Sequence, residues 1–327
     1  MDNLAKFKPL IPSPYQEVKF RYSGQVCRLY IKRDDLIHFF AGGNKWRKLM
    51  GHPIFKEQQE AVRVLSTGGN YSNLVFALCW ICDLYNYPLT ILSPEAEEDT
   101  YLMDWAKKLG VQFISLNRTQ LRAIRNGMQN PLDFIPDGKD VVWIPEGGSG
   151  LWSEEGISLM IEEIQDFCGN IPATILTAAG TGISSFYMLK NLPHAWQLGV
   201  FPAIKSNSFN RFLSSELEKH QQRPSQYMLI PQDDDRGIGS VTDEMIDFLL
   251  AVYDQTGVLL DPIYNGKALY YFWKNGGLED SDKKVILIHS GGNQAWYGLS
   301  LKYPFNKRIQ MLAEVFISEF KRLSLDS

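Results

Sequence analysis

The sequence predicts an α/β protein built on parallel sheets, and three observations carry that prediction. Short β-type apolar runs alternate with longer segments of helical period along most of the 327 residues, the pattern of strands joined by crossover helices. The strongly glycine-rich stretches, at residues 42–43, 68–69, 147–150, 180–182 and 291–292, each come after a strand-like run. In a parallel sheet such strand ends collect along one edge, where ligands bind. The chain is also long enough for two domains that share one site.

Taken in order, residues 1–25 read as an irregular arm, with prolines at 9, 12 and 14. A strand at 26–31 ends in a charged corner, and Gly42 and Gly43 then allow a sharp turn. Asn44 is expected to cap a helix opened by Lys45, with apolar beats at Trp46, Leu49 and Met50. Next come a strand at 61–66, a long apolar helix over 72–85 and a strand at 89–92. Ser93-Pro94-Glu95 reads as a helix start, with a hydroxyl cap and proline at the first position. Residues 111–116 are strand, 121–128 helix and 141–144 strand.

A second series begins near Gly150. Ile157, Met160, Ile161 and Ile164 give residues 153–167 a helical period. Strands are expected at 173–177, 197–201 and 226–230, with a helix over 208–220 between the last two. Residues 232–240 are loop, and their Asp233-Asp234-Asp235 run reads as a solvated turn. Ser240 with Asp243 makes a capping pair for a helix that Gly257 ends. A last strand at 285–288 and an amphipathic helix over 308–323 close the chain.

A net charge of −4 gives no reason to expect nucleic acid or anionic membrane as a partner. The N-terminal residues lack the apolar core of a signal peptide and no stretch approaches a membrane span, so a cytoplasmic location is expected. Cys79 and Cys82 have redox-motif spacing but lie inside an apolar helical run, which predicts buried free thiols. The five histidines are scattered, and no metal site is expected.

The chemistry gathers around two stretches. Lys45 stands in the first turn of its helix with Arg47 and Lys48 nearby. Helix dipole and neighbouring charge both disfavour an ammonium there, which favours a nucleophilic amine. Gly180-Thr181-Gly182-Ile183-Ser184, between a strand and a helix, is built to hold a phosphate through backbone N–H groups and the Ser184 hydroxyl. It lacks the lysine of a nucleotide P-loop and the third glycine of a dinucleotide fingerprint. A phosphate without a nucleotide, together with a poised lysine, suggests pyridoxal 5′-phosphate.

Five stretches in order resemble one family. They are Lys32-Arg33-Asp34-Asp35-Leu36 with Gly42 to Leu49, Gly68 to Asn73, Gly180 to Ser184, Leu260-Asp261-Pro262-Ile263-Tyr264 with Asn265 to Ala268, and His289-Ser290-Gly291-Gly292. The set resembles the 1-aminocyclopropane-1-carboxylate deaminase and D-cysteine desulfhydrase branch of the fold type II enzymes that use pyridoxal 5′-phosphate. That resemblance implies two three-layer parallel-sheet domains of the tryptophan synthase β type. The larger would be formed by 1–50 plus 151–327, with 51–150 inserted as the smaller. It further implies a homodimer and a small amino acid as substrate.

By resemblance, Lys45 is the Schiff-base lysine and moves the substrate α-proton, while Lys48 and residues 180–184 hold the phosphate. Asn73 would bond the ring hydroxyl, Ser72 lie beside the substrate carboxylate, and Tyr264 stand near the substrate. The cyclopropane deaminase has Glu directly after its motif tyrosine; this chain has Asn265. The desulfhydrase branch places a hydroxyl after the motif histidine, so Ser290 is the expected partner of the ring nitrogen. A hydroxyl there makes a weaker electron sink than a carboxylate, which fits β-elimination better than opening a cyclopropane. Ile238 stands where the family has a second active-site tyrosine. Three readings follow: an α,β-eliminating lyase and deaminase, the cyclopropane deaminase, and a cofactor-binding protein without efficient turnover.

Overall fold

The computed structural model describes residues 8–57, 59, 62–95, 100–135, 140–203, 213, 215, 226–232, 237, 239–278 and 283–324. The chain divides into two units, one holding residues 38–156 and the other residues 10–37 and 157–327. Residues 38–50, with Lys45, therefore belong to the same unit as residues 51–150.

The expected irregular arm is in large part a strand. β1 (Tyr15–Tyr22) pairs antiparallel with β2 (Gln25–Lys32). Ser23 at φ 48° and Gly24 at φ 80° make the two-residue turn, whose backbone twist suits a tight hairpin. Val18 and Phe20 point into the core between exposed Glu17, Lys19 and Arg21, so the alternation was present behind the prolines.

In residues 38–156 the chain forms α1 (Asn44–Leu49), α2 (Pro53–Lys56), β3 (Arg63–Thr67), α3 (Asn73–Tyr85) and β4 (Leu89–Pro94). It continues through α4 (Tyr101–Lys108), β5 (Gln112–Leu116), α5 (Arg118–Arg125) and β6 (Val141–Ile144). The four strands make a parallel sheet in the order β5-β4-β3-β6. No helix starts at Ser93: β4 runs on, pairing Ser93 with Ser115 and Pro94 with Leu116. Proline is tolerated at this strand end, and Thr100 caps α4 by accepting from the Met103 N–H at 3.2 Å. α5 begins three residues earlier than its apolar pattern implies (118 against 121), because Asn117 and Gln120 form a capping box. α3 is buried along most of its length, with Cys79 and Cys82 buried and free.

The second unit contains α6 (Ser153–Cys168) from Ile157 onward, β7 (Ala173–Ala179), α7 (Ile183–Asn191), β8 (Gln197–Pro202) and β9 (Tyr227–Leu229). α8 (Asp243–Thr256), α9 (Asn265–Lys274), β10 (Lys284–Ile288), α10 (Ala295–Lys302) and α11 (Lys307–Ser324) complete it. Its sheet runs β1-β2-β10-β7-β8-β9, parallel except for β1. Leu176 and Leu287 pack on one face with Phe248, Leu269 and Leu312 of α8, α9 and α11. Ile175, Ile286 and Ile288 pack on the other with Ile157, Ile161 and Ile164 of α6. Three layers result, as strand alternation requires when both faces are covered.

Thr242, not Ser240, caps α8: its hydroxyl accepts from the Met245 N–H at 3.1 Å, while Ser240 donates to the Gly237 carbonyl. Gly257 ends that helix in the left-handed region. α9 gave no periodic signal because Ala268 to Phe272 are all buried. The expected helix over 208–220 falls almost wholly outside the described residues, as do Asp233, Asp234, Asp235 and Ile238. Among the described residues no helix is long and apolar enough to cross a membrane.

Candidate active site

In residues 38–156 the site begins at α1. Gly43, at φ 73°, occupies the N-cap position, and Asn44 is the first helical residue rather than the cap. The Asn44 Oδ1 is buried and meets no hydrogen-bond partner among the described residues. Lys45 is half-buried, and desolvation lowers its pKa from 10.5 to about 8. Burial is the cause the structure supplies. Lys48, one turn further, is buried, and its pKa falls well below the ordinary value through desolvation and then through the charge of Lys45. It donates to the Gly147 carbonyl. Among the described residues no carboxylate pairs with either amine. Buried ammonium groups without a counter-charge are costly, so the pair is suited to an anion supplied from outside the chain.

α1 packs against α3 and the turn at Glu146–Gly148. This packing needs glycine where backbones touch: a Cβ on Gly156 of α6 would lie 1.9 Å from the Arg47 carbonyl oxygen. Glycine inside a helix costs about 1 kcal/mol, and the close approach explains its presence. Ser72 is the N-cap of α3 and accepts from the Val75 N–H at 3.4 Å. Asn73 opens the helix. A Cβ on Gly68 would meet Ser72 Oγ at 2.8 Å and Val75 Cγ2 at 2.7 Å, so the Gly68-Gly69 turn is what lets Ser72 take that post.

In the other unit β7 ends in Gly180-Thr181-Gly182 and opens directly into α7. Gly182 sits in the left-handed region at φ 89° and no side chain caps the helix. The first N–H groups of α7, from Ile183 and Ser184 onward, therefore have no intrahelical acceptor. Tyr264 lies over this turn: a Cβ on Gly180 would meet its Cε1 at 3.8 Å. β10 is the parallel neighbour of β7, so the segment after β10, Ser290-Gly291-Gly292, leaves the same sheet edge. Ser290 Oγ donates to Asn265 Oδ1 at 3.2 Å.

Residues 7–291 match the family model described as pyridoxal-phosphate dependent enzyme. The chain belongs to that family. A bifunctional D-cysteine desulfhydrase/1-aminocyclopropane-1-carboxylate deaminase, mitochondrial, of Arabidopsis thaliana is 27% identical over 316 residues, covering 86% of this chain and 76% of that protein. A D-cysteine desulfhydrase of Serratia proteamaculans is 24% identical over 301 residues, covering 82% and 88%. The crystal structure of an ACC deaminase homologue matches with TM-score 0.70 at 23% identity, covering 95% of this chain and 98% of that one; this likeness bears on fold, the tryptophan synthase β type.

The cofactor of this enzyme is pyridoxal 5′-phosphate, and the residues present fit it. The cofactor needs a reactive amine, cationic and N–H donors for its phosphate, and polar groups around its ring. Within residues 38–156, Lys45 and Lys48 are amines of the kind the cofactor needs and Asn44 Oδ1 is a buried acceptor; taken by itself, the other unit offers N–H donors at the uncapped start of α7. Sequence reasoning missed Asp261, a fully buried carboxylate beneath Tyr264 and Asn265. Its only signal was its place inside the quoted Leu260-Asp261-Pro262 stretch.

Proposed function

We propose that the chain is a lyase and deaminase acting on a small amino acid, removing the α-proton and a β-substituent to give a 2-oxo acid and ammonia. The observation that carries this is the half-buried Lys45 beside the buried Lys48, whose amines have lowered pKa values and no carboxylate partner among the described residues. When bound, pyridoxal 5′-phosphate supplies an aldehyde that captures an amine and a ring that accepts electrons from the α-carbon.

The remaining work falls to side chains of this chain. Lys45 is the amine that holds the cofactor and then carries the α-proton; a pKa of about 8 places it near working pH. Lys48 and the N–H groups of Gly180, Thr181, Gly182, Ile183 and Ser184 grip the phosphate. Asn73 bonds the ring hydroxyl, and Ser290 meets the ring nitrogen. Ser72, at the positive end of the thirteen-residue α3, receives the substrate carboxylate. Tyr264 stands against the 180–184 turn and faces the substrate. The larger unit supplies the N–H groups that meet the phosphate, and the working form is a cytoplasmic homodimer. Asn265, where the cyclopropane deaminase pattern has Glu, favours elimination from a D-amino acid such as D-cysteine. Cyclopropane opening is the second reading, favoured by the double name of the Arabidopsis relative.

A panel of amino acids offered as chiral pairs, with 2-oxo acid release as the readout, tests this. Release from a D-amino acid with a β-leaving group is expected. A protein that stays colourless in pyridoxal 5′-phosphate, or that turns over none of the panel, would sink the reading.

A further inference from the structure

Asp261 sits fully buried in the turn before α9, and its carboxylate is filled. Its Oδ1 accepts from the N–H groups of Ile263 at 3.0 Å and Tyr264 at 2.6 Å. Its Oδ2 accepts from the Asn265 N–H at 2.8 Å and from the Asn265 side-chain amide at 2.6 Å. Burial pushes the Asp261 carboxyl up, while the Tyr264 and Asn265 N–H donors and nearby His289 push it back. The same Asn265 Nδ2 also donates to the Gly291 carbonyl at 3.1 Å.

This fixes which way the amide points. Both N–H bonds of Asn265 Nδ2 are committed to acceptors, so Oδ1 is the atom left to meet Ser290 Oγ. Turning the amide over would press its oxygen against the Gly291 carbonyl oxygen, whatever the protonation of Asp261. A serine hydroxyl has a single proton. Donated to Asn265 Oδ1, that proton leaves only lone pairs for whatever lies on the other side of Ser290.

We propose that Asn265, clamped by Asp261 and Gly291, is a positioning residue that makes Ser290 a hydrogen-bond acceptor, so that the pyridine nitrogen of the cofactor is held protonated. This rests on Ser290 being the partner of that nitrogen. An unprotonated nitrogen would either face a lone pair or draw the Ser290 proton away and strand the Asn265 oxygen in a buried site. A hydroxyl by itself leaves a pyridine largely neutral; the Asn265 clamp turns it into an acceptor, a stronger sink than an unclamped hydroxyl gives but still a weaker one than the carboxylate of the cyclopropane deaminase pattern.

The experiment is nitrogen NMR of the holoenzyme reconstituted with pyridoxal 5′-phosphate labelled with nitrogen-15 in its ring, read at neutral pH. Protonated pyridine nitrogens resonate well upfield of unprotonated ones. The unaltered enzyme is expected upfield, with the signal moving downfield in both Asn265→Ala and Ser290→Ala. Loss of one hydrogen bond corresponds to about a tenfold change in the protonation equilibrium. An unprotonated signal in the unaltered enzyme overturns the proposal, even if Asn265→Ala fails to fold. A shift that moves in Ser290→Ala but not in Asn265→Ala overturns the role of Asn265 and leaves Ser290 in place. A shift that ignores Ser290→Ala removes the underlying reading itself.

Discussion

Lys32 and Lys48 are both buried lysines with almost no solvent contact, and their surroundings could hardly differ more. Lys32, at the end of β2, bonds Glu163 at 2.5 Å and Ser13 Oγ at 2.8 Å, with Asp34 at 3.7 Å. Ser13 in turn donates to Asp34 at 2.5 Å. The charge is answered on several sides, and the cluster ties the N-terminal arm and the hairpin to α6 within one unit. Lys48 has a backbone carbonyl and, nearby, a second lysine. A buried charge that is fully paired fixes a fold; one left unpaired is a standing cost that a ligand can relieve.

Four changes would break or sharpen that contrast, beginning with the largest effect. Lys45→Ala is expected to lower 2-oxo acid release by about 10³-fold or more and to abolish the yellow band that borohydride removes. Comparable turnover in the variant would take Lys45 out of the chemistry. Lys32→Met strips the partner from buried carboxylates and should destabilise the protein by about 3–5 kcal/mol, read as a lowered thermal midpoint. Lys48→Met should do the reverse in the cofactor-free protein, where the midpoint holds or rises. Its cofactor affinity should fall about 10–100-fold, the worth of a charge-assisted hydrogen bond; if both lysine variants melted alike, the distinction between them would be wrong.

The smallest effect is a pH dependence. The pKa of Lys45 is depressed from 10.5 to about 8, so between those values the unfolded chain binds more protons than the folded one. Stability of the cofactor-free protein therefore rises with pH across that window. Lys48, also depressed, contributes in the same direction. The difference in melting temperature between the unaltered protein and Lys45→Met should narrow from pH 8 to 10.5, and a constant difference would place the amine in solvent.

Much of the fold was legible because glycine and proline punctuate it. The alternation of strands and helices, the Gly257 stop and the Gly180 to Ser184 turn are local signals, set by which residues tolerate a left-handed backbone or lack an N–H. The hairpin at Tyr15–Lys32 was hidden by three prolines upstream, although Ser23-Gly24 marked its turn. The cap of α8 moved from Ser240 to Thr242 because two nearby hydroxyls compete and backbone geometry selects one. α9 escaped notice since a helix buried all round has no polar face to set its period.

The sequence by itself determined the chemical inventory: a lysine after paired glycines, a glycine turn fit for phosphate, and a hydroxyl rather than a carboxylate at residue 290. Those depend on residue type and on neighbours a few positions away. Tertiary structure decided how the groups are charged and aimed. Lys45 owes its lowered pKa to burial, and Ser290 owes the direction of its proton to Asn265, whose amide is held by Asp261 and the carbonyl of Gly291. Desolvation and hydrogen-bond direction are properties of what surrounds an atom, and those surroundings come from segments far apart along the chain.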